Sequence, residues 1–347
     1  MTRYTRDLIV VGASAGGVEA LREFANGLPA DLAASVLVVL HLPAGGTSAL
    51  PAILGRCGPL PVHSAKDGMP LKHSNIYVAP PNHHLLVVDD RVALSHGPTE
   101  NGWRPAIDAL FRSAAIVGGP RVVGVVLSGV LDDGVAGLVS IAGRGGKVVV
   151  QDPDEAVYPG MPRHAMHALA VDHVLPAAGM GDLLDKLSRD QVTPDDAPAP
   201  SGLLRLEHAI AVADSSARSG QDPAKLGTMS GFTCPDCDGA LVEMSPGGRY
   251  RCRVGHAWTG EALLDAQGLA WERALSVAIR TLDEKAALSR RMADQARKRG
   301  SDALATRFDQ HAAETLEAAA LLREPLDVAD HRAREEMSFD ADHTAPG

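Results

Sequence analysis

The sequence predicts an α/β protein: a doubly wound, mostly parallel sheet with a small antiparallel hairpin, followed by a small zinc module and a C-terminal helical hairpin. Three observations carry this. Short apolar, β-rich runs alternate with amphipathic segments from Asp7 to about Leu187. Three of the 4 cysteines, Cys234, Cys237 and Cys252, crowd into one short stretch. Apolar residues recur at helical spacing on both sides of Gly300.

The strand candidates are Leu8–Val11, Val36–Leu40, Ile76–Ala79, Val122–Leu127, Lys147–Gln151 and His173–Leu175. Their apolar residues are continuous rather than alternating, as strands covered on both faces require. Helical candidates sit between them at Val18–Asn26, Ser48–Arg56, Arg104–Ile116, Gly134–Ala142 and Pro162–Ala168. Leu85–Val88, the pair Asp89-Asp90 and Arg91–Leu94 read as a hairpin with a two-residue turn. Residues 1–187 therefore form the main domain. Residues 188–230 read as a linker carrying a short helix around Leu203, Leu206, Ile210 and Val212, because Asp, Pro, Ser and Ala dominate without periodicity. A compact Cys-rich module follows at 231–259. Residues 260–325 form the helical hairpin, with Trp271, Leu275, Ala278 and Leu282 on one stripe and Leu304, Phe308 and Leu316 on the next. The polar tail, 326–347, is expected to be disordered.

Apolar residues make up 45% of the 347 and charged ones 22%, which places the chain among globular proteins. The net charge of -10 repels phosphate backbones and anionic lipid, so nucleic acid is excluded as a main partner. No apolar run approaches the roughly 18–20 residues of a membrane span, which speaks against membrane insertion, and no secretory h-region follows Arg3 and Arg6. A cytoplasmic protein is expected. Cys57 reads as a buried small apolar residue.

Gly12-Ala13-Ser14-Ala15-Gly16-Gly17 follows the first strand and opens a helix, where backbone amides and the positive helix end converge. That setting suits a nucleophile and its oxyanion. Two plainer readings compete: a tight strand-to-helix turn, or a cradle for dinucleotide phosphates. The second needs Gly-x-Gly-x-x-Gly and an acidic residue closing the next strand. Here Ser14 replaces the central glycine, and the second strand ends in His41-Leu42-Pro43. Gly12-x-Ser14-x-Gly16 also fits a nucleophile elbow, but only one strand precedes Ser14, and the order Ser14, His41, Asp133 differs from that of α/β-hydrolases. Asp133, in Ser128-Gly129-Val130-Leu131-Asp132-Asp133-Gly134, is the orienting carboxylate. All three candidates lie beyond the carboxyl ends of strands, where open α/β sheets bind ligands.

These segments resemble the catalytic domain of the chemotaxis protein-glutamate methylesterases, the CheB type, over roughly residues 7–187. Val11–Gly17 is similar to the family's nucleophile turn, His41-Leu42-Pro43 to its histidine motif and Ser128–Gly137 to its aspartate motif. Arg104-Pro105-Ala106-Ile107-Asp108-Ala109-Leu110-Phe111, Gln151-Asp152 and Gly160-Met161-Pro162 extend the similarity. The resemblance implies that Ser14 attacks the γ-methyl ester of a receptor glutamate, with His41 as base and then acid and Asp133 fixing its tautomer, without a cofactor. It implies glutamine deamidation by the same route as a second activity. Ala15 stands where the family commonly has threonine, and Val130 where it commonly has methionine. The family's receiver domain is not expected, since only residues 1–6 precede the first strand unit. Arg104 reads either as a contact to an acidic receptor helix or as a cap of its own helix. His83, His84, His164 and His167 read as surface or loop residues rather than ligands.

Cys234-Pro-Asp-Cys237 and Cys252-Arg-Val-Gly-His256 supply three thiolates and an imidazole at knuckle-like spacing, enough to close a tetrahedral structural zinc site. No thioredoxin-like setting surrounds the Cys-x-x-Cys pair, and four protein ligands leave no catalytic position open. The Trp271–Leu282 stripe serves a protein partner, a dimer or an intramolecular core. The rival to the esterase is a non-catalytic signalling scaffold that keeps the fold and binds partners through the C-terminal modules, motivated by Ala15, Val130 and the missing receiver; a dinucleotide-dependent enzyme ranks last.

Overall fold

A computed structural model of the chain describes residues 4–193, 197–213, 227–245 and 248–342. In chain order the first part runs β1 (Tyr4–Thr5), β2 (Leu8–Ala13), α1 (Gly17–Gly27), β3 (Ser35–Leu40), α2 (Leu50–Cys57), β4 (Val62–Ser64) and β5 (Asn75–Val78). It continues through β6 (His84–Val88), β7 (Arg91–Ser95), α3 (Ile107–Gly118), β8 (Val122–Val126), α4 (Val135–Gly143), β9 (Lys147–Gln151), α5 (Gly160–Ala168), β10 (His173–Leu175), α6 (Met180–Ser188) and β11 (Gln191–Val192). After α7 (Gly202–Ala211) come β12 (Thr228–Thr233), β13 (Ala240–Ser245), β14 (Arg249–Cys252) and β15 (Ala257–Thr259), then the helices α8 (Gly260–Lys298) and α9 (Asp302–Asp342).

Seven strands form one sheet in the order β10-β9-β8-β2-β3-β5-β4, with every neighbouring pair parallel. The chain places β3 beside β2, sends β4 to the edge and returns β5 between β3 and β4, then crosses through α3 and builds outward through β8, β9 and β10 on the other side. The switch point therefore lies between β2 and β8, and the loops leaving β2, β3 and β8 open onto one crevice. Alternate residues of each central strand enter opposite layers. Ile9, Val11, Val36 and Val38 pack with Leu21 and Phe24 of α1. Val10, Leu37, Val39 and Val126 pack with Leu110 and Phe111 of α3. Burial on both faces is why these strands read as unbroken apolar runs.

The hairpin forms as expected: β6 and β7 pair antiparallel, and Asp89 and Asp90 adopt φ 49° and 54°, the left-handed pair of a type I′ turn. Two features escape the sequence. β4 adds an edge to the main sheet, and β1 pairs antiparallel with β11. Each is too short to display a period.

β12 to β15 form a four-stranded antiparallel sheet, and residues 1–263 make one compact unit that includes it. The stretch that reads as a linker is only partly described, residues 194–196 and 214–226 lying outside. Its helix α7 buries Leu206 and Ile210 against Val242 and Met244 of β13. Polar composition hid this docking because the apolar contacts come from a partner sheet about 35 residues on.

The weld beneath that sheet is ionic. Glu100, Asp108 and Glu207 meet Arg112, Arg249 and Arg251 in a buried cluster, three charges of each sign. Arg112 lies 2.5 Å from Glu100; Arg249 lies 3.0 Å from Glu100, 2.8 Å from Asp108 and 2.6 Å from Glu207. Arg251 adds contacts of 3.4 Å to Glu100 and 3.1 Å to Glu207. Removing such charges from water is tolerable only because each finds several partners.

The second unit, residues 264–347, is helical over its described residues, which end at Asp342, and turns at Gly300 with φ 73°. Ala293, Ala296 and Ala305 pack there with Phe308, and Arg323 pairs with Asp283 at 2.5 Å. Trp271 stays 46% exposed. Where the sequence suggested a polar tail, α9 continues to Asp342, and residues 343–347 lie outside the described residues. Ala333, Arg334, Glu335, Glu336 and Met337 are strong helix formers, so propensity sustains a helix without an apolar stripe. Among the described residues no helix is long and apolar enough to cross a membrane.

Candidate active site and metal centre

Ser14, His41 and Asp133, 27 and 92 residues apart in sequence, meet at the crevice above β2, β3 and β8. His41 Nδ1 lies 3.0 Å from Ser14 Oγ, and His41 Nε2 lies 2.7 Å from Asp133 Oδ2. The carboxylate beside Nε2 favours the tautomer with its proton there, which leaves Nδ1 as the acceptor for the serine hydroxyl. The ring is turned over relative to the serine-protease template, where serine faces Nε2. The relay of hydroxyl, base and acid is the same. The His41 and Asp133 side chains are each only 4% exposed.

Local sequence explains each placement. Ser14 follows β2, and its amide donates to Ser128 O at 2.9 Å, joining the loops that follow β2 and β8. Gly16 turns the chain into α1 with φ 66°. Gly129 must lack a side chain: a Cβ there would overlap Met161 Sδ and stand 2.9 Å from Ser14 Cβ. Val157 and Tyr158, both exposed, stand against Gly16 just past the serine, and Val130, next to Gly129, is exposed as well.

Asp133 is held on every side. Ile107 N donates to Oδ2 at 2.8 Å and Asp108 N to Oδ1 at 3.4 Å, so the carboxylate caps α3, whose own N-cap residue Ala106 offers no side-chain acceptor. Asn101 Nδ2 donates to Oδ1 at 3.3 Å. Burial opposes the charge, but the hydrogen bond and charge of His41 and the Ile107 amide outweigh it and hold the carboxyl below its usual range. Its neighbour Asp132 goes the other way. Burial, aided by the charges of Asp108, Glu261 and Asp133, pushes it up to about 6 despite the hydroxyl of Thr259, which donates at 2.7 Å.

Sequence reasoning missed Trp103. Its indole stacks on His41 with ring centroids 4.6 Å apart and 5° between planes. The available signal was an indole directly before the Arg104-Pro105 motif. Arg104 does not cap its own helix: its guanidinium donates to Asn82 Oδ1 at 2.7 Å and Gly97 O at 2.8 Å, tying together two loops, and α3 begins beyond it. His84 is no surface residue; it is buried on β6, with Nε2 2.9 Å from Pro98 O. His164 pairs with Glu261 at 2.9 Å and Leu131 O at 2.8 Å. Cys57 is half-buried at the end of α2, where its thiol donates to Ile53 O, rather than fully enclosed.

The donor atoms of Cys234, Cys237, Cys252 and His256 all lie within 4.8 Å of one another. The separations are 3.7 Å from Cys234 Sγ to His256 Nδ1, 3.5 Å from Cys252 Sγ to the same nitrogen, and 3.6 Å between Cys237 and Cys252 sulfurs. A tetrahedron with metal–sulfur bonds of about 2.3 Å and a metal–nitrogen bond of about 2.1 Å has edges of about 3.6–3.8 Å. These three separations fall close to those edges, and the Cys237 and Cys252 sulfurs are too far apart for a disulfide. These four residues can hold a metal ion.

Comparison with known proteins agrees with this geometry. Residues 9–184 match the family described as CheB methylesterase. The chain is 37% identical over 192 residues to a protein-glutamate methylesterase/protein-glutamine glutaminase 2 of Methanosarcina mazei, covering 53% of this chain and 52% of that protein. A putative protein of the same activity name from Leptospira interrogans is 35% identical over 187 residues, covering 54% of this chain and 97% of its own length. The crystal structure of the Thermotoga maritima CheB methylesterase catalytic domain aligns with TM-score 0.50 and 31% identity, over 52% of this chain and 98% of that one. The chain thus spans about half the length of the Methanosarcina relative.

Proposed function

The chain belongs to the CheB methylesterase family through residues 9–184, and from that membership we propose that it hydrolyses glutamate γ-methyl esters on a chemoreceptor-like protein. The observation that carries the proposal is the hydrogen-bonded chain from Ser14 through His41 to Asp133. Ser14 Oγ attacks the ester carbonyl as its proton passes to His41 Nδ1. The tetrahedral intermediate collapses, the bond to methoxide breaks, and His41 returns the proton so that methanol leaves. Water then attacks the acyl-enzyme as its proton passes to His41; the bond to Ser14 Oγ breaks, His41 hands the proton to Oγ, and the glutamate carboxylate leaves. Asp133 stays ionised throughout and stabilises the imidazolium. The same steps on a glutamine side chain release ammonia, which makes deamidation the second activity.

Zinc is the metal best suited to three cysteines and one histidine, and with four protein ligands it serves structure. Catalysis needs no cofactor. The reducing cytoplasm fits three cysteine thiolates held for metal rather than disulfides. The substrate is a methylated receptor or signalling protein, and the α8–α9 helices offer a surface for a further partner or a second copy. The decisive experiment is mass spectrometry of a methylated receptor incubated with the protein. Loss of one methyl ester per modified glutamate supports the reading, with Ser14→Ala slower by a factor on the order of 10³ or more. An equally fast Ser14→Ala protein would reject Ser14 as the nucleophile, and a folded wild type that hydrolyses no ester and whose Ser14 resists a fluorophosphonate would favour the scaffold instead.

A further inference from the structure

We infer that the metal module acts on the active site through residues 99–103, with Asn101 and Trp103 as positioning residues for Asp133 and His41, so that metal occupancy sets turnover. This rests on the esterase reading above. The observations form a continuous chain from the metal donors to the triad.

His256 is a metal donor, and the next residue, Ala257, pairs with the loop: Asn101 N donates to Ala257 O at 2.8 Å, and Ala257 N donates to Thr99 O at 3.2 Å. Cys252, another donor, ends β14, which pairs along β15 from Arg249↔Thr259 to Arg251↔Ala257. β15 therefore lies between a metal-bearing strand and the catalytic loop. Asn101 uses both ends of its carboxamide. Oδ1 accepts from Thr259 N at 2.9 Å, and Nδ2 donates to Asp133 Oδ1 at 3.3 Å. Two residues on, Trp103 presses flat on His41. Directly before Asn101, Glu100, only 1% exposed, is gripped by Arg249 and Arg251 of β14 as well as by Arg112 of α3.

A four-stranded sheet of this size buries too little to hold its own shape, and metal ligation supplies the missing free energy. When the ion leaves, β14 and β15 lose their anchor, and the loop loses the strand that fixes it. Asn101 and Trp103 are then free to move, and Asp133 and His41 each lose one restraint. The metal never touches substrate, yet it determines how well the base is aimed.

The test uses the full chain. Asn101→Ala, with metal content and melting temperature checked, is expected to lower kcat about tenfold to a hundredfold at nearly constant KM. Asn101→Asp, which cannot donate and sets a second negative charge beside Asp133, is expected to lose more and to move the acidic inflection of kcat/KM to higher pH. A merely structural residue would leave that inflection in place. In a parallel arm, zinc is removed by a chelator and restored. The readouts are kcat and the downfield imidazole proton shared by His41 and Asp133, identified by its loss in His41→Ala. Both should weaken without zinc and return with it. Unchanged kcat and pH profile in metal-replete Asn101→Ala, or a metal-free protein that keeps the resonance, would overturn the inference. So would a wild type that binds no zinc. If apo protein unfolds, the Asn101 variants decide alone. If the wild type lacks esterase activity, the earlier reading fails while the resonance still decides the coupling.

Discussion

The indole of Trp103 lies parallel to the imidazole of His41, 5° between the planes and 4.6 Å between centroids. It covers one face of that ring, and in the proposed mechanism a stacked indole stabilises the imidazolium formed when Ser14 gives up its proton. A stacking cation–π contact is worth about 0.5–2 kcal/mol, so Trp103→Ala should slow acylation roughly twofold to thirtyfold, and Trp103→Phe should retain most of the rate. Stopped-flow acylation by an activated ester distinguishes the two; equal rates for Ala and wild type would remove Trp103 from the mechanism.

Gly129 separates Met161 from Ser14 with no room to spare. Gly129→Ala must push the serine, the methionine or both, and a displacement of about 1 Å can cost on the order of 10²-fold in rate. The expected signature is a large fall in kcat with a modest change in melting temperature. A variant that unfolds before it loses activity would show that the loop, and not the nucleophile, absorbs the strain.

The buried cluster balances three guanidinium groups with three carboxylates, and Glu100→Gln leaves the cationic side in excess. Breaking such a pair should destabilise the protein by about 3–5 kcal/mol in urea denaturation. Glu207 adds a pH signature. Burial opposes its charge, yet Arg249, Arg112 and Arg251 bring its pKa from 4.5 down to about 2. The stability it lends is complete above pH 4.5 and is lost as the pH falls toward 2, because the unfolded chain takes up the proton first. Acid unfolding that sets in at the same pH in wild type and Glu207→Gln would contradict this.

Asp132 carries the opposite sign. With its pKa raised from 3.8 to about 6, the folded protein keeps a proton that the unfolded chain has released, so stability falls as pH rises through that window. Asp132→Asn removes the penalty while still accepting the Thr259 hydroxyl. Its melting temperature should exceed that of the wild type at pH about 8, by at most about 3 kcal/mol of stability, and the gain should shrink as the pH approaches 3.8. A gain that is the same at both ends would mean that packing, not ionisation, is responsible.

Much of this protein could be read from one dimension, because the relevant signals are local. Apolar runs covered on both faces disclose the parallel strands, Asp89-Asp90 between two such runs discloses the hairpin, and Cys234, Cys237, Cys252 and His256 disclose a metal cluster by spacing alone. Ser14, His41 and Asp133 could be named because strand ends are visible, and ligands of α/β sheets gather there. What chain order could not supply is contact between distant segments. Glu100 and Arg249 are 149 residues apart and Asn101 and Thr259 158 apart, and nothing in either neighbourhood marks its partner. Folding alone set Trp103 on His41, joined Glu207 of the supposed linker to Arg249 and Arg251, and brought Thr259 of the Cys-rich module to Asn101 and Asp132, since a buried charge or carboxamide finds its partner through space and not through spacing.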